Sequence, residues 1–386
     1  MSAKTKLRGI TWNHSRGFVS VVATAQRFCE LRPEVEISWE KRSLQEFADA
    51  PIQGLAEEYD LLVIDHPWAG YAAFSQVLLP LQDTIPAEYM RDQAEHSVGH
   101  SHASYIFDGG QCALAIDAAT PVASCRPDLL ERYELEMPQT WRDLLSLARQ
   151  GRVVMPGIPI DTLMNFYMLC ATQGEAPFVD DEWAVSDEMS LRALEQLREL
   201  ASLCPEEIFN WNPIAVYEAL SRRDDFVYCP FAYGYSNYSR AGYSESVLVF
   251  DDMVEIEGHG RCQTTLGGTG LAISSRCQAP EIARDYAMFT AGPGIQRTLF
   301  FDNGGQPGHR SAWLDAEVNR RSNSYFRNTL PALDRAYLRP RFPGYLHFQD
   351  YAGTPIRRYC MEGGDARQVL AELKRLFEEA RGIYQA

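Results

Sequence analysis

No apolar run in the chain reaches the ~18–20 residues of a membrane-spanning helix, and that excludes an integral helical membrane protein. The basic start, Met1 to Arg8, is not followed by the 7–15 apolar residues of a secretory signal. There is no P-loop, no G-x-G-x-x-G and no G-x-S-x-G elbow, so no standard nucleotide-binding or hydrolase signature is present. There is also no C-x-x-C pair, which removes the usual zinc-ribbon and thioredoxin-type motifs. Positive charge is in deficit: the formal net charge is −16, which argues against nucleic acid or an anionic membrane surface as partner.

What is present is 386 residues of ordinary globular composition, 46% of them hydrophobic, enough for two domains. The nine cysteines are Cys29, Cys112, Cys125, Cys170, Cys204, Cys229, Cys262, Cys277 and Cys360. Their number is odd and their spacing scattered, the pattern of buried reduced thiols rather than of a disulfide framework. With the missing signal, this leads to the expectation of a cytoplasmic protein if Met1 is native.

Short apolar strands and helices alternate from the start. Residues 7–12, 35–39 and 61–64 read as strands; 18–31 reads as a helix with Phe18, Val22, Ala25 and Cys29 on one face, and a polar helical stretch runs to about Tyr59. This β-α-β-α-β order implies a doubly wound sheet with right-handed crossovers. Further strands are expected at 110–116, 226–228, 246–250 and after the glycine-rich 266–270. The region 138–203 reads as mostly helical, with Leu191, Leu194, Leu197 and Leu200 as one stripe. A last amphipathic helix spans 365–381, with Val369, Leu370, Leu373 and Leu376 facing inward.

Several segments together resemble the bacterial type 1 extracellular solute-binding proteins, the family that includes maltose-binding protein. Pro138-Gln139-Thr140-Trp141-Arg142-Asp143-Leu144 resembles the family's Pro-x-Thr-Trp-x-Asp/Glu-Leu segment. Ala115-Ile116-Asp117-Ala118 leading to Arg126-Pro127-Asp128-Leu129 is similar to its first interlobe crossing, and Gly267 to Ile273 to its second. Leu79-Pro80-Leu81 is similar to its Leu-x-Pro-Leu turn. The resemblance implies an α/β, two-lobed, periplasmic-binding-protein-like clamp (type II), each lobe a doubly wound mixed sheet flanked by helices. Lobe one is expected at 1–115 plus 264–312 and lobe two at 120–260, with the 320–386 helices mainly beneath lobe two. It also implies a monomer that captures a small polar solute for an ABC permease, and a periplasmic location if a signal preceded Met1.

Candidate site residues follow from placement at the carboxyl ends of strands, where open α/β sheets bind ligands. The loop after the first strand offers Trp12, Asn13, His14 and Arg16; the loop after the third offers Asp65 and His66. The aromatic run 228–238 contributes Tyr233, Tyr235 and Asn237, with Gly234 allowing close approach. In the implied fold Gln306 and His309 lie near a further crossing, and Asp117 lies in the first. The ligand is a carbohydrate on the weight of the aromatic rings, or a carboxylate on that of His14, Arg16, His309 and Arg310. His96, His100 and His102 are spaced i, i+4, i+6 but lack the His-Glu-x-x-His pattern, so no metal is expected, and no cofactor. Two alternatives stand beside solute binding. One is a cytoplasmic enzyme on the same fold, thiaminase-like, with Cys229 as nucleophile and Asp65 and His66 as its base. The other is a cytoplasmic metabolite sensor.

Overall fold

The computed structural model describes residues 4–44, 46 and 51–384; part of the polar stretch expected to be helical before Tyr59, residues 45 and 47–50, lies outside them. The chain forms two compact units. The first comprises Met1–Ala119, Gly267–Val318 and Arg341–Pro343, and the second Thr120–Leu266, Asn319–Pro340 and Gly344–Ala386. In chain order the principal strands are β1 (Thr5–Trp12), β2 (Val35–Arg42), β3 (Leu61–Ile64), β4 (Leu114–Ala119), β5 (Pro121–Cys125), β6 (Tyr228–Tyr233), β7 (Val249–Asp251) and β8 (Gly267–Ile273).

The first unit is built on a five-stranded mixed sheet in the order β2-β1-β3-β8-β4. β1 runs parallel to β2 and β3, and β8 runs antiparallel to β3 and β4. So β1, β3 and β4 all point the same way, and their carboxyl ends share one edge. β3 is four residues long and wholly buried, as expected of a central strand covered on both faces. Helix Ser15–Leu31 buries Val21, Ala25 and Phe28 against this sheet, while Val22 is 38% exposed. The inward stripe is therefore turned by one residue from the face read in the sequence. The cause is local: Gly17 lies flat on the Trp12 ring, where any Cβ would come within 2.3 Å of ring carbon.

The strand expected at 110–116 begins only at Leu114. Gly110–Gln111 pairs instead with Ile106–Phe107 in a small hairpin. Its turn is Asp108-Gly109, both with positive φ (47° and 77°), the dipeptide that a tight hairpin turn favours.

In the second unit β5 lies between β6 and β7, antiparallel to both, and a single parallel bridge joins Val153 to Tyr228. The β5–β6 register breaks between Cys229 and Ala232. Pro230 sits at that break, where its missing N–H disturbs no ladder. Around this sheet pack the helices Trp141–Ala148, Pro159–Thr172, Asp187–Ser202 and Pro213–Arg222, with Tyr345–Glu362 and Ala366–Gly382 from the chain's end. Of the expected stripe Leu194, Leu197 and Leu200 are buried and Leu191, at its end, is half-buried; Val369, Leu370, Leu373 and Leu376 are buried as their spacing predicts.

The Pro-x-Thr-Trp segment is a helix start. The Thr140 hydroxyl accepts the Asp143 N–H at 3.2 Å, and the Asp143 carboxylate accepts the Thr140 N–H at 2.9 Å, a complete capping box. Trp141 then stacks on Phe231 of β6, with centroids 6.4 Å apart and planes 7° from parallel. The motif thus fixes a helix to the sheet.

Among the described residues no helix is long and apolar enough to cross a membrane. All nine cysteines are free. Burial pushes the thiols of Cys112, Cys125, Cys204, Cys262 and Cys360 up to about 12, which keeps them protonated and unreactive at neutral pH. Titration under denaturing, non-reducing conditions is expected to count nine thiols in freshly purified protein. Seven or fewer would contradict this arrangement.

Asp161, in the first turn of helix Pro159–Thr172, is buried, and its Oδ2 finds no hydrogen-bond partner among the described residues. Burial raises its carboxyl pKa to about 8. The native state therefore keeps a proton that the unfolded chain releases near pH 4, so this residue costs stability progressively as pH rises from about 4 to about 8. Asp161→Asn is expected to raise the melting temperature, by more at pH 8 than at pH 5. A gain equal at both pH values, or a loss at pH 8, would refute the assignment.

Candidate functional site

In the first unit the expected loop after β1 is clamped from both sides. His14 is the N-cap of helix Ser15–Leu31, its Nδ1 accepting the Arg16 N–H at 3.0 Å. That bond needs an unprotonated ring nitrogen. Burial, with the Arg16 charge beside it, lowers the His14 pKa to about 4, so the cap stays neutral in the physiological range. Arg16 then reaches Asp117 on β4, Nε to Oδ2 at 2.7 Å, with a second short bond from Nη2 to Oδ1. Both side chains are at most 5% exposed. Burial holds the Asp117 carboxyl above its ordinary pKa, and the Arg16 guanidinium offsets only part of that rise.

The same edge carries the segment before helix Arg310–Leu314. Gln306 exchanges hydrogen bonds with Ala118: its carbonyl accepts the Ala118 N–H at 3.2 Å, and its side-chain amide donates to the Ala118 carbonyl at 2.8 Å. The Gly308 N–H donates to the Ile116 carbonyl at 3.1 Å. A Cβ on Gly308 would come within 2.4 Å of the Ala115 carbonyl oxygen, so this approach requires glycine. The structure thus brings Arg16, Asp117 and Gln306, singled out on three distant segments, to one sheet edge.

Asp65 and His66 form a local pair after β3. The Asp65 carboxylate accepts the His66 N–H at 2.8 Å and lies 3.2 Å from its Nδ1. The His66 ring is buried, edge-on to Tyr105 at 6.5 Å. Asp65 does not cap helix Trp68–Ser75, whose N-cap is Pro67. Trp12 belongs to the sheet core at 3% exposure, while Asn13 is exposed. His309 is buried, and its ring meets Asp92 and His96.

In the second unit the aromatic run divides. Tyr228, Phe231 and Tyr238 are core, and Tyr235 is buried beside Tyr217. The Tyr217 hydroxyl donates to the carbonyls of Ala232 and Tyr233 at 2.9 and 3.1 Å, fixing the end of β6. Tyr233 alone of the strand is half-buried, its hydroxyl 3.0 Å from Thr265 Oγ1. Asn237 is buried in the short turn that follows. Gly234 earns its place: a Cβ there would meet the Tyr325 hydroxyl at 2.0 Å. Tyr105, Tyr217 and Tyr325 were not picked out in the sequence. No local pattern marks them, because each acts on a segment far away along the chain.

Cys229 does not offer a nucleophile. It is fully buried on β6, and burial pushes its thiol pKa well up. A nucleophilic thiol needs the opposite shift and access to substrate. Asp65 and His66 belong to the first unit, and Cys229 to the second.

Residues 11–297 match the sequence model of the bacterial extracellular solute-binding proteins, and the chain belongs to that family. No curated protein sequence matches it significantly. Among solved structures it shares its fold with maltose-bound MalE3 of T. maritima (17% identity, 98% of this chain and 99% of that one, TM-score 0.83). Similar likeness holds for an ABC transporter solute-binding protein from Agrobacterium radiobacter in complex with ribitol (18% identity, 99% of each chain, TM-score 0.82). It holds also for UgpB from Mycobacterium tuberculosis in complex with glycerophosphocholine (15%, 98% and 99%, TM-score 0.79). At these identities the likeness shows the fold: that of the two-lobed, maltose-binding-like solute-binding proteins. The chain is accordingly a solute-binding protein whose role is ligand capture for uptake.

Removing one member of the buried ion pair leaves the other charge uncompensated. Arg16→Leu is expected to cost about 3–5 kcal/mol of unfolding free energy in a urea titration. The double variant Arg16→Leu/Asp117→Leu is expected to recover much of the loss. Two single costs that simply add would show that the pair is not coupled.

Proposed function

We propose that this protein captures a neutral sugar or sugar alcohol and delivers it to an ABC permease outside the cytoplasm. The observation that carries the ligand class is the Arg16–Asp117 pair. Its charges cancel at the strand edge where ligands of open α/β sheets are held, so Arg16 itself offers an anion no surplus positive charge. Arg310 is engaged as well, its Nε donating to the Ser97 carbonyl at 2.8 Å. A net charge of −16 further disfavours an acidic ligand. The half-buried Tyr233 supplies what a sugar ring takes from a protein, an apolar face with a polar tip. The maltose and ribitol complexes of proteins with this fold support the same class.

In this reading the buried Arg16, Asp117 and Gln306 hold the sheet edge of the first unit in one arrangement, and Tyr233 is the ring on which a sugar stacks. Trp12, His14, His66, Tyr235 and Asn237 hold those contacts in position. The nine thiols are compatible with a place outside the cytoplasm because burial leaves most of them inert.

A panel of neutral mono- and disaccharides, pentitols, hexitols, and mono- and dicarboxylates, read by melting temperature and calorimetry, tests the proposal. A ligand at 100 times its Kd adds about 2.7 kcal/mol of stability. Stabilisation is expected from at least one neutral polyhydroxy compound and from no carboxylate. Tyr233→Ala is expected to weaken that binding about tenfold or more, equivalent to about 1.4 kcal/mol. Mass spectrometry should recover the bound compound unchanged. Stabilisation by carboxylates alone, or conversion of the ligand, would overturn the reading.

A further inference from the structure

The first unit gathers Asp92, His96 and His309 on a face that the reading above does not use. Asp92 lies in helix Ala87–Glu95, His96 is that helix's C-cap, and His309 is the N-cap of helix Arg310–Leu314. One donor atom from each lies within 4.8 Å of the other two. Asp92 Oδ1 is 3.0 Å from His96 Nδ1, and Asp92 Oδ2 is 3.2 Å from His309 Nε2. The imidazoles stack with centroids 5.0 Å apart and planes 16° from parallel. A tetrahedral ion held at about 2.0–2.1 Å by nitrogen and oxygen sets its donors about 3.3 Å apart. Each imidazole already stands near that spacing from Asp92, one from each carboxylate oxygen.

The backbone around the cluster is locked. Ser97 and His309 form an antiparallel bridge, and the Arg310 N–H donates to the His96 carbonyl at 2.8 Å. A ligand set held on rigid elements binds without rearranging them. An outer partner is present as well: Ser311 Oγ is 2.8 Å from His309 Nδ1. Without metal, Nδ1 accepts the Ser311 N–H at 3.3 Å; a histidine that binds metal through Nε2 carries its proton on Nδ1, so metal binding exchanges that cap bond for one donated to this hydroxyl. His96 is exposed, which leaves a side open for a water ligand. Two imidazoles and one carboxylate suit zinc and its neighbours rather than magnesium or calcium.

We propose that Asp92, His96 and His309 bind one divalent transition-metal ion of the zinc type. The ion fastens segments 217 residues apart in the chain. The sequence reading set aside His96, His100 and His102 and expected no metal; the fold joins the first of them to Asp92 and His309 instead.

The test uses untagged full-length protein freed of metal by chelator and dialysed. Calorimetric titration with Zn²⁺ is expected to give one site per chain and a rise of several degrees in melting temperature. Mg²⁺ and Ca²⁺ should do neither. Co²⁺ should bind with the visible absorption of a low-symmetry site containing imidazole. His96→Ala, at an exposed position, should fold as the parent does and lose the Zn²⁺ site. Ser311→Ala should keep the site with affinity reduced about 10–100-fold. Absence of a stoichiometric site would overturn the proposal, as would an unchanged site in His96→Ala or an equal response to Mg²⁺. With no site present, the cluster is a hydrogen-bonded clamp in which Asp92 accepts from both rings.

Discussion

Arg16 meets Asp117 across 101 residues of chain, inside a sheet edge from which water is excluded. Neither charge could be buried there alone, since an isolated ion in such a place costs several kcal/mol. Each therefore dictates where the other's segment goes. Arg16 ties the start of helix Ser15–Leu31 to β4, and β4 in turn carries Gln306 and Gly308 by backbone hydrogen bonds. The ends of β1 and β4 and the segment before helix Arg310–Leu314 thus form one connected edge. Loops that carry binding residues are ordinarily the mobile parts of a fold. Here the loops of the proposed site are fixed by a charge pair that tolerates little displacement, which is the pre-organisation that the proposed recognition needs.

The strands and the long helices of both units were legible in the sequence because their patterns are local. β3 is an uninterrupted apolar run, and helix Ala366–Gly382 carries its inward residues at helical spacing. The Pro-x-Thr-Trp segment was legible as a motif, and its physical content, a capping box with a stacked tryptophan, emerges only with coordinates. The face of helix Ser15–Leu31 was read one residue off because Gly17, which decides the contact, adds nothing to a hydrophobic pattern. The hairpin at 106–111 had its signal in Asp108-Gly109, overshadowed by the apolar residues after it.

The site was less legible, for a reason that Tyr233 and Tyr238 illustrate. Five residues apart in one aromatic run, they have different fates. Tyr233 stays half-buried at the end of β6, while Tyr238 is buried, packs against Tyr217 and donates to Glu218 at 2.7 Å. Composition cannot separate the two, because the difference is made by Tyr217, Glu218 and Thr265. The same holds for His309. Its sequence neighbours suggest an anion-binding loop, and only the fold shows its ring committed to Asp92.

His14 shows how far a short stretch of sequence can reach once the fold exists. As N-cap it must present an unprotonated nitrogen to the Arg16 N–H, and burial beside a guanidinium keeps it so, with a pKa lowered to about 4. The guanidinium that depresses His14 is the one that neutralises Asp117, so one charge serves the cap and the ion pair together. Protonating His14 would break the cap and place a second positive charge beside Arg16. The cost falls on the folded state, which loses stability relative to the unfolded chain as pH drops from about 6.5 to about 4. Above that range His14 is neutral in both states and the edge keeps one hydrogen-bonding pattern. Neutral polyhydroxy ligands do not titrate there either, so neither the His14 cap nor the proposed ligand changes protonation across the physiological range.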